Sequence, residues 1–185
     1  AAKEGYWSHS RTFTLLDFQI QEIAGKTLGI IGYGTIGKRV KAIAEVFGMK
    51  VVIAQSQVAG SDHSGRIPLD ELLTVSDVIS IHAPLSPLTL NLIGEKALSK
   101  MKPTALLLNM GRGGIVDETA LLAALENGVI KGAATDVLAQ EPPALDHPLL
   151  QYNKANLLLT PHVAWASQQA RQTLLNQVKD IIQGL

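Results

Sequence analysis

Three residues far apart in the chain, Arg112, Glu141 and His162, carry groups that together suit one kind of chemistry. Arg112 lies in Asn109-Met110-Gly111-Arg112-Gly113-Gly114, Glu141 precedes Pro142-Pro143, and His162 follows Thr160-Pro161. A guanidinium grips a carboxylate with two prongs and polarises a neighbouring ketone. An imidazole, with an ordinary pKa of about 6.5, gives a proton to a developing alkoxide and takes it back in the reverse direction. A carboxylate bonded to the other ring nitrogen fixes the tautomer and favours the imidazolium. The set fits reduction of a 2-keto acid, provided a cofactor brings the hydride. Singly, each residue has a plainer explanation: an exposed loop charge, a solvated acid, a strand-end histidine bonded to backbone. The set therefore requires Glu141 and His162 to lie within hydrogen-bonding reach.

The elements that must position these groups begin at Thr27. Thr27 to Ile31 is a short apolar run, the pattern of a buried parallel strand. Gly32, Gly34 and Gly37 then form G-x-G-x-x-G. From Thr35 the period changes, and Ile36, Val40, Ile43, Ala44 and Phe47 predict the apolar face of a helix that Gly48 ends. Val51 to Ala54 is a second strand. Strand, glycine turn, helix and strand make a dinucleotide-binding unit. Gly32 allows the turn, Gly34 admits a pyrophosphate, Gly37 lets helix and strand pack closely, and the helix N-terminus faces the anion. A carboxylate is expected about 20 residues on to accept from the adenosine ribose; Gln55 and Ser56 stand there instead. Gln55 bonds a hydroxyl without repelling a 2′-phosphate, and Arg66, in a later loop, is not expected to hold one. The pattern favours NAD without excluding NADP. Lys38 and Arg39 read as a solvated face.

Further along, a helix is predicted over 68–73 and a strand over 78–81 that ends at His82-Ala83-Pro84. A small helix over 94–98 precedes a strand over 105–108. Asp117 suits an N-cap for a helix to Asn127, with Leu121, Leu122 and Leu125 inward and Gly128 as its stop. Gly132 to Ala134 is a strand ending near Asp136, and Pro142, Pro143 and Pro148 hold a rigid loop. Leu157 to Leu159 is a sixth strand, and Ser167 caps a last amphipathic helix through Leu174, Val178 and Ile181. Alternating strands and helices predict an α/β, Rossmann-type doubly wound parallel sheet in a single domain. Its polar residues gather at the carboxyl ends of the strands, where ligands bind in such sheets. These are Gln55, His82, Asn109, Arg112, Asp136, Glu141 and His162. His82 reads as structural rather than catalytic, and His9, His63 and His147 lie in polar loops that suggest no chemistry.

Composition narrows the function classes. The 185 residues suffice for one domain with a full core, and 16 basic side chains balance 16 acidic ones. That balance gives no electrostatic case for nucleic acid or an anionic membrane. The longest apolar runs are far too short to span a bilayer. There is no Cys, which excludes disulfides and thiol nucleophiles and fits a reducing cytoplasm. No close His/Asp/Glu spacing argues for a metal. Residues 1–25 form a polar leading arm whose aromatics Tyr6, Trp7, Phe13 and Phe18 suit local packing or a partner subunit; the dinucleotide domain is expected over 26–185.

The chain also resembles a known family, the cofactor-binding domain of the D-isomer-specific 2-hydroxyacid dehydrogenases. The resemblance rests on Leu28-Gly29-Ile30-Ile31-Gly32-Tyr33-Gly34-Thr35-Ile36-Gly37 and on His82-Ala83-Pro84-Leu85-Ser86 with Thr89 and Leu92-Ile93-Gly94. It continues through Asn109 to Asp117, Asp136-Val137-Leu138 with Glu141-Pro142, and Thr160-Pro161-His162-Val163-Ala164-Trp165. It implies Arg112, Glu141 and His162 as catalytic groups, Asp136 as partner of the nicotinamide carboxamide, and Gln55 in place of the acidic ribose contact. It further implies cofactor contacts at Gly32, Gly34, Thr35, Ile36, Gly37, His82, Ala83, Pro84, Thr89, Asn109, Met110, Gly111, Arg112, His162 and Ala164. The wording around Trp165 is similar to glycerate dehydrogenases, or hydroxypyruvate reductases, and implies glycerate, glyoxylate or hydroxypyruvate as substrate. Members carry a second, substrate-binding lobe whose segments this chain lacks. The expectation is a cofactor-binding piece of a longer enzyme, inactive alone and dimerising through this domain. The competing expectation is a non-catalytic NAD sensor or scaffold on the same fold, resembling the corepressors.

Overall fold

The computed structural model describes residues 2–17, 20–58 and 60–184. Six parallel strands form one sheet in the order β2-β1-β3-β4-β5-β6: β1 (Thr27–Ile31), β2 (Lys50–Ile53), β3 (Val78–Ile81), β4 (Leu106–Asn109), β5 (Gly132–Thr135) and β6 (Leu157–Leu159). The chain goes outward from β1 to β2, then returns past β1 to lay down β3 and the rest. The crevice between the carboxyl ends of β1 and β3 is therefore the topological switch point, where open α/β sheets bind ligands. The helices are α1 (Thr35–Val46), α2 (Leu69–Val75), α3 (Glu95–Leu98), α4 (Glu118–Glu126), α5 (Pro148–Gln151) and α6 (Gln168–Gln183). Among the described residues no helix is long and apolar enough to cross a membrane.

Strand alternation divides the core. Leu28 and Ile30 point to one face and pack with Ala44 and Val40 of α1. Ile31, Ile79, Ile81 and Leu107 join Leu72 and Leu73 of α2, Leu98 of α3, Leu121 and Leu125 of α4 and Leu149 of α5 in a larger cluster. Each fully buried Leu or Ile there contributes roughly 1.5–3 kcal/mol. A Cβ on Gly29 would lie 2.6 Å from Leu72 Cδ2, so α2 rests directly on β1. At the amino end of the sheet Asp77 ties two elements together: it accepts from Thr27 N at 2.8 Å and from Lys102 Nζ at 2.9 Å.

Three expectations change. The α1 face differs from the predicted one, because Gly37, Val40 and Ala44 face the sheet while Ile36, Ile43 and Phe47 are exposed. The cause is Gly37: a Cβ there would lie 2.3 Å from Gly32 O, and this near contact rotates the helix. Pro148 opens the short helix α5 rather than lying in a rigid loop, with His147 as its N-cap. The last helix forms where expected, capped by Ser167 Oγ accepting from Ala170 N at 3.1 Å, but Leu174, Val178 and Ile181 stay exposed. Asp117, Gly48 and Gly128 act as predicted at helix ends. In the arm, Trp7 donates to Phe13 O at 3.0 Å, and Tyr6, Trp7 and Phe13 are exposed. Phe18 lies outside the described residues.

Candidate active site

The glycine turn closes on the loop after β3. Gly32 has φ 91°, a conformation that favours glycine, and a Cβ there would lie 2.4 Å from Ala83 N. Gly34 is the opposite case: a Cβ would meet nothing within 4 Å. The turn thus leaves open space at the start of α1, whose N-cap Gly34 makes no side-chain cap. The first-turn N–H groups remain available to an anion, and the helix dipole favours one. A cavity of about 280 Å³ opens beside the turn, lined by Gly32, Gly34, Gln55, His82, Ala83, Pro84 and Thr89 among others. A second cavity, of about 490 Å³, is lined by Ile36, His82, Met110, Gly111, Arg112, Asp136, His162 and Ala164. His82 lines both, so the two lie side by side along the carboxyl edge of the sheet. Burial holds the His82 imidazole below its ordinary pKa; Nε2 lies 2.9 Å from Ser80 Oγ, while buried Nδ1 has no hydrogen-bond partner. Open space at Gly34, free helix N–H groups and an unpartnered ring nitrogen all fit a bound dinucleotide.

His162, Glu141 and Asp136 form one hydrogen-bonded unit. His162 Nδ1 lies 2.6 Å from Glu141 Oε2, the contact the sequence required. Burial works to raise the Glu141 pKa, but the His162 hydrogen bond, the Leu138 N–H and the His162 charge outweigh it and hold the carboxyl below its ordinary range. An ionised carboxylate only accepts, so the Nδ1 proton belongs to the imidazole and Nε2 is left for a substrate. His162 itself sits at φ 53° and donates its backbone N–H to Asp136 O at 2.8 Å. The Asp136 carboxylate, 3% exposed, accepts from Thr160 Oγ1 (2.6 Å), Val163 N (2.9 Å) and Ala164 N (2.9 Å). Burial opposes ionisation there too, but these bonds and the His162 charge lower the pKa. Asp136 thus fastens the segment on both sides of His162.

Arg112 is exposed and shares the second cavity with His162. Its loop is shaped by Asn109, whose amide donates to Arg112 O at 3.1 Å and accepts from Gly111 N at 3.2 Å. Asn109 is buried and lines neither large cavity. Thr89 lines the first cavity but turns its hydroxyl inward to Pro84 O at 2.7 Å. Thr35 and Gly37 line neither cavity; Thr35 is exposed at the helix start and Gly37 is the packing contact. Glu141 lies on a neighbouring cavity of about 590 Å³ that His162 and Asp136 also line.

The sequence reading missed four groups. Arg66, expected to lie away from the ribose position, lines the first cavity together with Gln55 and Ser56. A one-residue bridge, Ala54 to Ile67, carries it there. Glu118 accepts from Ala139 N and stands 3.1 Å from His147 Nε2. His147, read as an idle loop histidine, thus braces through Glu118 the loop that carries Glu141. Gly113 packs on the same loop, since a Cβ there would overlap Leu138 O. Glu118 beside the Asp117 cap was the visible signal, but it reads equally as a dipole complement.

Comparison with known proteins identifies the family and the fold. Residues 1–164 match the family described as D-isomer specific 2-hydroxyacid dehydrogenase, NAD binding domain. A glycerate dehydrogenase from Methylorubrum extorquens is 48% identical over 183 residues, covering 99% of this chain and 57% of its own. A solved D-isomer specific 2-hydroxyacid dehydrogenase from Lactobacillus delbrueckii, in NAD-complexed form, superposes with TM-score 0.76 at 30% identity, over 98% of this chain and 61% of its own. An acyclic imino acid reductase solved with NADPH and D-Arg reaches TM-score 0.82 at 35% identity, over 98% of this chain and 57% of its own. The chain thus spans a little over half the length of such relatives.

Proposed function

Because the chain belongs to the D-isomer specific 2-hydroxyacid dehydrogenase family, we propose that it is the part of such an enzyme that holds the dinucleotide and moves the proton. The reaction is reversible hydride transfer: from NAD(P)H to a small 2-keto acid, giving the D-2-hydroxy acid and the oxidised cofactor, and back. The observation that carries this reading is the 2.6 Å contact between His162 and Glu141, on a cavity wall that His162 shares with Arg112. Glycerate, glyoxylate or hydroxypyruvate is the proposed substrate, supported by the names of the relatives. One solved relative is described with NAD and another with NADPH, so the family fold accepts either.

The bound dinucleotide supplies the hydride. Arg112 holds the substrate carboxylate and draws charge toward the ketone oxygen. His162 Nε2 gives its proton to that oxygen as the alkoxide develops, and Glu141 accepts from Nδ1 and orients the ring. In the reverse direction the neutral imidazole takes the proton back. Asp136, whose oxygens are engaged by Thr160, Val163 and Ala164, keeps His162 in register. The exposed Tyr6, Trp7 and Phe13 support association of two copies through the arm. A non-catalytic sensor would have no need of an ionised carboxylate held against an imidazole. Titrating NADH and NADPH into the intact protein and screening small 2-keto acids for oxidation of the reduced cofactor tests the proposal. Turnover of hydroxypyruvate or glyoxylate is expected; cofactor binding with no turnover on any 2-keto acid would favour the sensor.

A further inference from the structure

We propose that the cavity at the end of β2 selects the dinucleotide that carries a 2′-phosphate, with Arg66 as the residue that recognises it. This rests on the dinucleotide reading above and concerns which form of the cofactor the site prefers. In this fold a carboxylate after the second strand accepts from the ribose hydroxyl and repels a phosphate. Gln55 occupies that place without charge, and no Asp or Glu lines the cavity among the described residues.

Arg66 arrives there by backbone pairing. Gln55 N donates to Ile67 O at 2.8 Å and Ile67 N to Ile53 O at 2.9 Å, so Ile67 is paired with Ala54 and the residue before it is held at the end of β2, on the cavity that Gln55 also lines. The Arg66 guanidinium carbon lies 5.8 Å from the centre of the Tyr33 ring, and Tyr33 is the residue between Gly32 and Gly34. A guanidinium lying over a ring keeps its N–H edges free for an anion. Asp62 is near enough to feel the Arg66 charge, but its carboxylate is engaged by Ser64, whose N–H it accepts at 2.8 Å. None of the ion pairs among the described residues includes Arg66. Ser56 lines the same wall; its Oγ accepts from Val58 N at 3.2 Å, which leaves the hydroxyl proton to donate. A cation with free edges, a hydroxyl donor and an uncharged amide make a site for a phosphate monoester on a ribose, and no carboxylate among the described residues lines it.

The test is the ratio of dissociation constants for NADPH and NADH, measured by fluorescence titration of the intact protein. NADPH is expected to bind tighter by roughly tenfold or more, the effect of one or two charge-assisted hydrogen bonds. That margin should shrink as salt rises. Arg66→Ala should weaken NADPH by roughly the same factor and leave NADH within about threefold, while Arg66→Lys should keep part of the margin. Gln55→Asp should reverse the preference, and 2′,5′-ADP should compete better than 5′-AMP. NADH bound as tightly as NADPH, or an unchanged ratio in Arg66→Ala, would overturn the inference and leave the dinucleotide site standing. No binding of either cofactor would overturn both.

Discussion

Replacing Asp136 by Asn should loosen the segment that carries His162, and the structure sets the size of the effect. Asp136 Oδ1 accepts from Thr160 Oγ1 and Val163 N, and Oδ2 accepts from Ala164 N. Asn keeps one acceptor oxygen. Placed best, it satisfies Thr160 and Val163 and turns its NH₂ toward the Ala164 N–H, donor against donor. One hydrogen bond to a charged group is lost, worth about 1.5–3 kcal/mol. The two that remain become neutral and weaker. His162 at φ 53° is costly by about 1–3 kcal/mol and persists because its surroundings hold it. Relaxation there recovers part of the loss but moves the imidazole away from Glu141. The net cost is about 2–3 kcal/mol, which in a domain of this size lowers Tm by roughly 4–12 °C. Thermal unfolding followed by circular dichroism at neutral pH measures it. Asp70→Asn, which removes only an exposed pair with Lys100, is the control and should change little. A Tm for Asp136→Asn within about 1 °C of the parent protein would refute the claim that this carboxylate holds the His162 segment.

Other outcomes follow from the same contacts. Gly34→Ala should fold normally, because its Cβ meets nothing, yet lose dinucleotide affinity; Gly37→Ala should lose stability, because its Cβ would press on Gly32 O, with unfolding and NADH titration separating the two. Glu118→Gln should lower kcat by roughly tenfold through a displaced Glu141 and leave the NADH dissociation constant unchanged; equal losses in both would mean a general loosening. Asp77, Asp136 and Glu141 all have carboxyls held below their ordinary range, so they bind fewer protons folded than unfolded near pH 4. Their contribution is complete above the unfolded values of about 4 and is lost as pH falls through the folded ones. Denaturant titrations should therefore show stability falling below about pH 4, and Asp77→Asn should differ least from the parent protein at the acid end.

The strands and most helices were legible because hydrophobic period changes sharply at each boundary, as at Gly32 to Thr35. The Glu141–His162 contact was legible from chemistry, since an acid/base imidazole calls for a carboxylate partner. What stayed hidden depended on single contacts that leave no period. The α1 face was misjudged because Ile36, Ile43 and Phe47 are apolar, while a glycine decides which side can approach the sheet. Helix α5 is four residues long, and a helix begun by proline looks like a loop in sequence. Arg66 reaches the cavity through one bridge pair, and Glu118 meets His147 across 29 residues. No local pattern announces either.

The central claim is that His162 transfers the proton while other residues hold the cofactor. Steady-state kinetics of intact His162→Ala with a 2-keto acid, set beside its NADH and NADPH dissociation constants, tests this most directly. The expected result is a loss of kcat of roughly 10²–10⁴-fold with cofactor affinity within about threefold of the parent protein. Parallel losses of rate and affinity, or a rate left intact, would contradict it.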